Sequence, residues 1–255
     1  MNIISYNLNG IRAAMNKGLL DWLKAANPDV FLIQEAKANE DQVDWTGFAE
    51  LGYQQHLFSA EKKGYSGVAL LSKKAPDRIV AGMGLDAYDK EGRVLRADYG
   101  DLTIVSAYFP SGSSGDERQD FKMKFLADFL PWARALKKER PKLVIAGDVN
   151  ICHLDIDIHN PKANQNTSGF LPEERAWVSE FLNEGFEDSF RLFHPEPHQY
   201  TWWSYRAASR ARNKGWRIDY QFVSEALVPQ VQQARILSQA VHSDHCPTQL
   251  ILDWK

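Results

Sequence analysis

The sequence predicts an α/β protein of one domain that mixes parallel and antiparallel strands. Three observations carry that expectation. At 255 residues and 44% hydrophobic content, the chain can bury a large core within a single domain, residues 1–255. Unbroken apolar runs at Val30–Ile33 and Leu143–Ala146 suit strands covered on both faces. A strand-helix-strand unit opens the chain, whereas the strand candidates between Gln54 and Phe109 follow one another with only turn residues between them.

Taken in order, Ile3, Ile4 and Tyr6 lead into Asn7-Leu8-Asn9-Gly10, a strand that ends in polar residues and glycine. Leu19, Trp22, Leu23 and Ala26 have the i, i+3, i+4, i+7 spacing of one helical face. Asn27-Pro28 stops that helix, and Val30–Ile33 runs on to Gln34-Glu35. A right-handed crossover between these parallel strands places Glu35 at the same end of the sheet as Asn7. Antiparallel strands are expected at Gln54–Phe58, Gly67–Ser72, Arg78–Ala81, Val94–Tyr99 and Leu102–Phe109, the last bringing Tyr108 to the loop Pro110–Gly115. Phe121, Phe125, Leu126, Phe129 and Leu130 form a core-facing helical stripe that Pro131 should kink or end.

Leu143–Ala146 then delivers Gly147-Asp148-Val149-Asn150; while the chain stays extended, Asp148 and Asn150 point the same way. Cys152–Phe170 is a long polar segment, expected to be ordered by what it binds. Pro172 with Glu173 and Glu174 opens a helix that carries Trp177, Val178, Phe181 and Leu182 and closes at Gly185. Further strands are expected at Tyr200–Trp203, Ile218–Phe222 and Thr248–Leu252, with Asp219 opposite the apolar face of the second and Asp244-His245 just before the third.

A formal net charge of −3 and a pI of about 6.2 mean that a nucleic-acid partner cannot be read from overall charge; any basic footprint is local. Arg12, Lys62, Lys63, Arg206, Arg210 and Arg212 are assigned to it provisionally. Cys152 and Cys246 lack Cys-x-x-Cys spacing, which argues against a disulfide scaffold or a structural zinc site and fits a reducing cytoplasm. No apolar stretch approaches membrane-spanning length, so a soluble protein without a membrane partner is expected.

Asn7, Asn9, Glu35, Asp148, Asn150, Asp219, Asp244 and His245 are carboxylates and amides with one imidazole. Singly, each has an ordinary explanation as a turn residue, a solvated strand end or a satisfied core histidine. Together they would require five strands to end in polar groups by coincidence. Oxygen donors favour a hard cation such as Mg²⁺ or Mn²⁺ over zinc, and such a cation assists attack on a phosphate ester. Asp148 could serve as base, a protonated His245 as donor to phosphoryl oxygens, and Asp219 as the group that holds the imidazole ring.

The residues that carry these groups form motifs: Ser5-Tyr6-Asn7-Leu8-Asn9-Gly10-Ile11-Arg12, Leu32-Ile33-Gln34-Glu35-Ala36-Lys37, Gly64-Tyr65-Ser66-Gly67, Ala107-Tyr108-Phe109-Pro110, Gly147-Asp148-Val149-Asn150, Gly215-Trp216-Arg217-Ile218-Asp219 and Ser243-Asp244-His245. In this order, with Asn160-Pro161-Lys162 and Gly169-Phe170, the chain resembles the exonuclease III-type AP endonucleases along nearly its whole length. The resemblance implies a four-layer α/β sandwich, with two mixed sheets packed face to face and flanked by helices. It implies that Glu35 is the principal metal ligand, with Asn9 near it and Asp244 contributing directly or through water. Asn7, Asn150, Asp148 and His245 occupy positions also credited with metal binding.

By the same resemblance, Asp148, held by Asn7, activates water, Asn150 and Tyr108 contact the phosphate, and Asp219 orients His245. Arg12, Tyr65 and Asn164 match DNA-contacting positions, and Trp202, Trp216 and Ile218 the pocket for a flipped abasic sugar; Arg206 is assigned to DNA binding from its charge, not from the resemblance. The chain departs from the pattern at Ser111, where relatives usually carry Asn or Gln, at Ala36, where Thr is usual, and at Thr167, often Asn. The implied protein is a monomeric Mg²⁺-dependent enzyme, with Mn²⁺ able to substitute. It would act on double-stranded DNA with abasic sites or blocked 3′ ends, by cutting 5′ to the abasic site and by 3′-phosphatase and 3′→5′ exonuclease chemistry. A nonspecific nuclease or other phosphoesterase of the same superfamily, and a catalytically silent DNA-binding protein, are the alternatives.

Overall fold

Alternation along buried strands builds the molecule. In the first strand, β1 (Asn2–Asn7), Ile3 faces one apolar cluster and Ile4 the opposite one; in the second, β2 (Val30–Gln34), Leu32 and Phe31 divide in the same way. Strands that are apolar on both faces need cover on both sides, and the computed structural model, which describes residues 1–254, supplies it in four layers. One mixed sheet runs β11-β12-β1-β2-β4-β3, with β3 at Gln54–Phe58, β4 at Val68–Ser72, β11 at Val231–Ile236 and β12 at Thr248–Leu252. The other runs β5-β6-β7-β8-β10-β9, with β5 at Arg78–Ala81, β6 at Val94–Tyr99, β7 at Leu102–Tyr108, β8 at Lys142–Asp148, β9 at Phe186–Asp188 and β10 at Asp219–Ser224. β1 with β2, and β7 with β8, pair in parallel.

Ile3, Leu32, Leu70, Ile104, Val144 and Leu250 fill the space between the sheets. On the outer face of the first sheet lie α1 (Ile11–Met15), α2 (Leu19–Ala26) and α3 (Thr46–Glu50), whose Leu19, Leu23 and Phe48 pack on Ile4, Phe31 and Ile33. The outer face of the second is covered by α5 (Asp116–Glu139) and α6 (Pro172–Asn183), where Phe125, Phe129, Trp177 and Phe181 pack on Ile145 and Phe222. The short α4 (Asp86–Asp89) adds Tyr88 to that cluster. Toward one end the inter-sheet contacts turn polar: Gln34 Nε2 donates to Ser5 Oγ on the neighbouring strand and to Ser106 Oγ on the facing sheet, each at 3.1 Å. Among the described residues no helix is long and apolar enough to cross a membrane.

Three expectations are corrected. The helix bearing Pro131 does not end there: α5 runs on to Glu139, because Pro131 lies on the solvent side while Ala133 and Leu136 continue the buried stripe beyond it. Tyr200–Trp203 is not a ladder strand. Trp216 O accepts from both Thr201 N and Trp202 N, and Trp203 N donates to Asp244 O, so the segment divides its bonds between two neighbours. The segment 152–170 owes its order to the chain itself. Cys152 N donates to Gly169 O, and the buried Asp157 accepts from Arg217 and Arg191.

Candidate active site

Each polar side chain of interest sits where a strand stops. β1 and β2 run in parallel and release Asn7 and Glu35 side by side; β7 and β8 do the same for Tyr108 and Asp148, which are paired in register. Gly147 makes the second juxtaposition possible: at φ +147° a Cβ there would lie 1.9 Å from Ala107 O on the neighbouring strand. Beyond the strand ends the backbone turns sharply. Asn9, Glu35 and Asn150 all have left-handed φ values, between 48° and 56°, and for Glu35 this is a strained conformation of the kind that collects at functional sites.

Asn7 ties the two strand pairs together. Its Nδ2 donates to Glu35 Oε1 and to Asp148 Oδ2, both at 2.8 Å. Asp148 also accepts from Asn150 N at 2.8 Å and Asn150 Nδ2 at 3.2 Å. Across from it, His245 Nδ1 lies 2.9 Å from Asp219 Oδ2, while His245 Nε2 points toward Asp148 Oδ2 at 4.0 Å. Burial would keep this imidazole neutral, but the Asp219 carboxylate, with Asp148 and Asp244 behind it, pushes its pKa up to about 10. Burial raises the Asp148 carboxyl, as do Asp219 and Glu35, against the opposing effect of His245. Burial also raises Glu35, but Lys37 and Asn7 outweigh it and hold Glu35 ionised. The Tyr108 phenol is raised by burial and by Glu35 and stays a proton donor.

Glu35, Asp148 and His245 each offer a ligand atom within 4.8 Å of the others. The donor set suits a hard divalent cation, and Lys37 marks where positive charge belongs: its Nζ lies 2.7 Å from Glu35 Oε2 and 2.6 Å from Asn9 Oδ1. Asn9 Nδ2 reaches Asp244 Oδ1 at 3.0 Å, and Asp244 Oδ2 accepts from Trp202 Nε1 at 3.0 Å. Asn7 and Asn150 direct their amide nitrogens at Asp148, so their side chains serve the carboxylate in this arrangement.

These groups open into a cavity of about 310 Å³ lined by Glu35, Tyr108, Asp148, Asn150, Asp244 and His245 on its polar side. Trp202, Trp216 and Ile218 form the apolar side, with the two indoles edge to face at 6.0 Å. Ser111 and Thr167 line its rim, and Ala36 is buried behind Glu35. Arg12, Tyr65, Asn164 and Arg206 lie outside this lining. Arg12 and Arg206 are exposed, and the Tyr65 hydroxyl accepts from Arg93 and Arg118. Asn164 Nδ2 donates to the carbonyls of His159 and Asn160. Arg210 is not free surface charge: it donates to the carbonyls of Ser238, Ala240 and Ser243 and stacks on Trp203.

Sequence reasoning passed over two residues. Lys37 closes the motif Leu32–Lys37, and its spacing two residues after Glu35 is the signal it carries. Arg93, which donates to Tyr108 O and lies 4.9 Å from the Tyr108 ring centroid, had no signal at all.

The sequence pattern of the endonuclease/exonuclease/phosphatase family matches residues 4–245. An exodeoxyribonuclease of Bacillus subtilis is 41% identical to the chain, over 99% of the chain and all of that protein. The DNA repair nuclease APEX1 of Danio rerio is also 41% identical, over 99% of the chain and 82% of its own length. An AP endonuclease structure from Archaeoglobus fulgidus superposes with a TM-score of 0.92 at 26% identity, each chain fully covered. The strand-end constellation, the two six-stranded sheets and these likenesses agree that the chain belongs to the endonuclease/exonuclease/phosphatase family.

Proposed function

We propose that the protein hydrolyses the phosphodiester on the 5′ side of an abasic site in duplex DNA, leaving a 3′-hydroxyl and a 5′-deoxyribose phosphate. By the same chemistry it would remove phosphate and nucleotides from 3′ ends. One observation carries this reading: Asp148 and a charged His245 share a single small cavity with Trp202, Trp216 and Ile218. A hydrolytic pair is thereby placed against an apolar pocket of limited size.

In this reading Asp148 takes the proton of the attacking water, held in orientation by Asn7 and Asn150. His245, kept charged by Asp219, donates to a phosphoryl oxygen, and Tyr108 and the Asn150 amide contact the same phosphate. Glu35, with Asn9 and Asp244, would hold Mg²⁺, for which Mn²⁺ can substitute. When bound, the cation supplies positive charge that offsets the phosphate and the crowded carboxylates. A site completed within one chain supports a monomer, and two buried free thiols, Cys152 and Cys246, suit the reducing cytoplasm.

Selectivity has to come from the apolar wall, because every phosphodiester presents similar charge. An abasic nucleotide leaves the stack at lower cost, and the pocket between Trp202, Trp216 and Ile218 then excludes an intact base by size. The test compares matched duplexes carrying an abasic analogue, an intact base or a 3′-phosphate, with Mg²⁺ and with chelator. The expected result is Mg²⁺-dependent cleavage that is faster on the first and third than on the second, and a fall in the ratio of abasic to normal 3′-end cleavage in Trp216→Ala. Equal rates on all three substrates would make the protein a general nuclease. An unchanged ratio in both Trp216→Ala and Trp202→Ala would move selectivity elsewhere.

A further inference from the structure

Lys122 is the charged exception on the buried face of α5, where it sits among Phe125, Leu126, Phe129 and Ala133. Its partner, Glu174 in the first turn of α6, is equally inaccessible, and the two side chains meet at 2.5 Å with no exposure on either. Burying both charges costs more than an apolar pair of the same volume would, so the bonds that they make specify something packing alone does not.

Those bonds converge on two parts of the active-site cavity. Lys122 Nζ donates to Asn150 O at 2.8 Å, fixing the peptide of the left-handed turn that carries Asp148 and Asn150. Glu174 Oε2 accepts from Gly169 N at 2.6 Å and Leu171 N at 3.0 Å. Glu174 Oε1 also accepts from Gln119 Nε2, whose amide oxygen in turn accepts from Ser168 Oγ at 2.7 Å. Ser168 and Gly169 line the cavity, and Gly169 is wedged between the turn and the indole: a Cβ there would lie 2.9 Å from the Trp216 ring and 3.2 Å from Asn150 O. A cap for α6 accounts for the bond to Leu171 N. It does not account for Gly169 N, Asn150 O or the lysine.

We propose that the Lys122–Glu174 pair is a positioning device that holds the catalytic turn and the Trp216 wall of the cavity at a fixed separation. Neither residue touches the reacting atoms. Lys122 acts through the Asn150 peptide and Glu174 through the Ser168–Gly169 strip, so loosening the pair lets the hydrolytic groups and the sugar pocket drift relative to each other. The kinetic part of this inference rests on the activity proposed above; the geometric part does not.

The test uses the full chain with Glu174→Gln, which keeps the shape and removes the charge, and the neutral double variant Lys122→Met with Glu174→Gln. Gln119→Leu leaves the ion pair intact and severs only the Ser168 arm. Three readouts are taken on folded protein: the amide proton shift of Gly169, the ¹⁹F signal of fluorotryptophan at Trp216 (assigned with Trp216→Phe), and kcat and KM separately on the abasic duplex. The expected result is upfield movement of Gly169, a shifted or broadened Trp216 signal, and a fall in kcat of at least tenfold in the double variant. Gln119→Leu should show a smaller change in the same direction. Wild-type kcat and KM in the folded variants would reduce the pair to a helix cap and overturn the proposal. If the wild-type protein cuts no abasic duplex, the proposed activity fails instead, and an unmoved Trp216 signal would still overturn the clamp.

Discussion

Asp219 determines the pH range over which His245 can act as an acid. Burial favours the neutral imidazole; Asp219 is the largest of the carboxylates that oppose it, and beside it the imidazole stays charged up to about pH 10. A donor functions below its pKa, so activity that depends on a charged His245 persists through neutral pH and falls as the solution passes that value. In Asp219→Asn the largest raising charge is gone, while burial still lowers the imidazole and Asp148 and Asp244 still raise it, which moves the alkaline limb down toward the ordinary histidine value of about 6.5. The expected loss at pH 8 is about tenfold in kcat, with partial recovery at pH 6, read from a pH–kcat profile. An unshifted alkaline limb would separate Asp219 from the titration. Glu35→Ala provides the companion measurement: removing the ionised carboxylate that accepts from Asn7 and pairs with Lys37 should abolish most turnover at low Mg²⁺ and leave the unfolding midpoint nearly unchanged, since Glu35 adds nothing to the apolar clusters.

Among the elements, the segment 152–170 is anchored by one buried charge. Asp157 has no exposed side-chain surface; it accepts from Arg217 Nε at 2.7 Å and from Arg191. Burial would raise its pKa, but the two guanidinium groups lower it to about 2. Such a depressed carboxylate contributes stability above its unfolded pKa of about 3.9 and loses it as pH falls through about 2. Asp157→Ala leaves Arg217 buried against Asp188 alone, and a loss of about 3–5 kcal/mol is expected in urea unfolding at pH 7, shrinking as the pH approaches 3.

That dependence was not legible in the sequence, where the segment read as polar and irregular. Runs such as Val30–Ile33 and Leu143–Ala146 announced their strands because both faces are apolar. β9 and the bulged edge strand β11 did not, since a three-residue strand and Val-Gln-Gln-Ala-Arg-Ile carry little alternation. Asp148, Glu35 and Tyr108 could be found because each closes an apolar run. Arg93 and Lys122 act from inside elements whose pattern is about packing, and Lys122 differs from its apolar neighbours only by its charge.

Across the whole molecule, an acidic total of −3 has to coexist with attraction to a phosphate backbone, so the positive charge must be distributed unevenly. The structure sorts the basic residues by availability. Arg217 is spent on Asp157 and Asp188, and Arg210 on three carbonyls of the loop that leads to Asp244-His245. Arg12, Lys62, Lys63, Arg206 and Arg212 remain exposed. An exposed cation that contacts phosphate releases a counterion, and its neutralisation should lower the slope of log affinity against log salt by about one unit for any DNA sequence. Arg206→Gln and Arg212→Gln are therefore expected to flatten the salt dependence of duplex binding while leaving thermal stability alone. Arg210→Gln should do the reverse, lowering stability and kcat through the loose Asp244-His245 loop with the salt slope intact. Equal slopes in wild type and in both exposed variants would place the DNA on another face of the molecule.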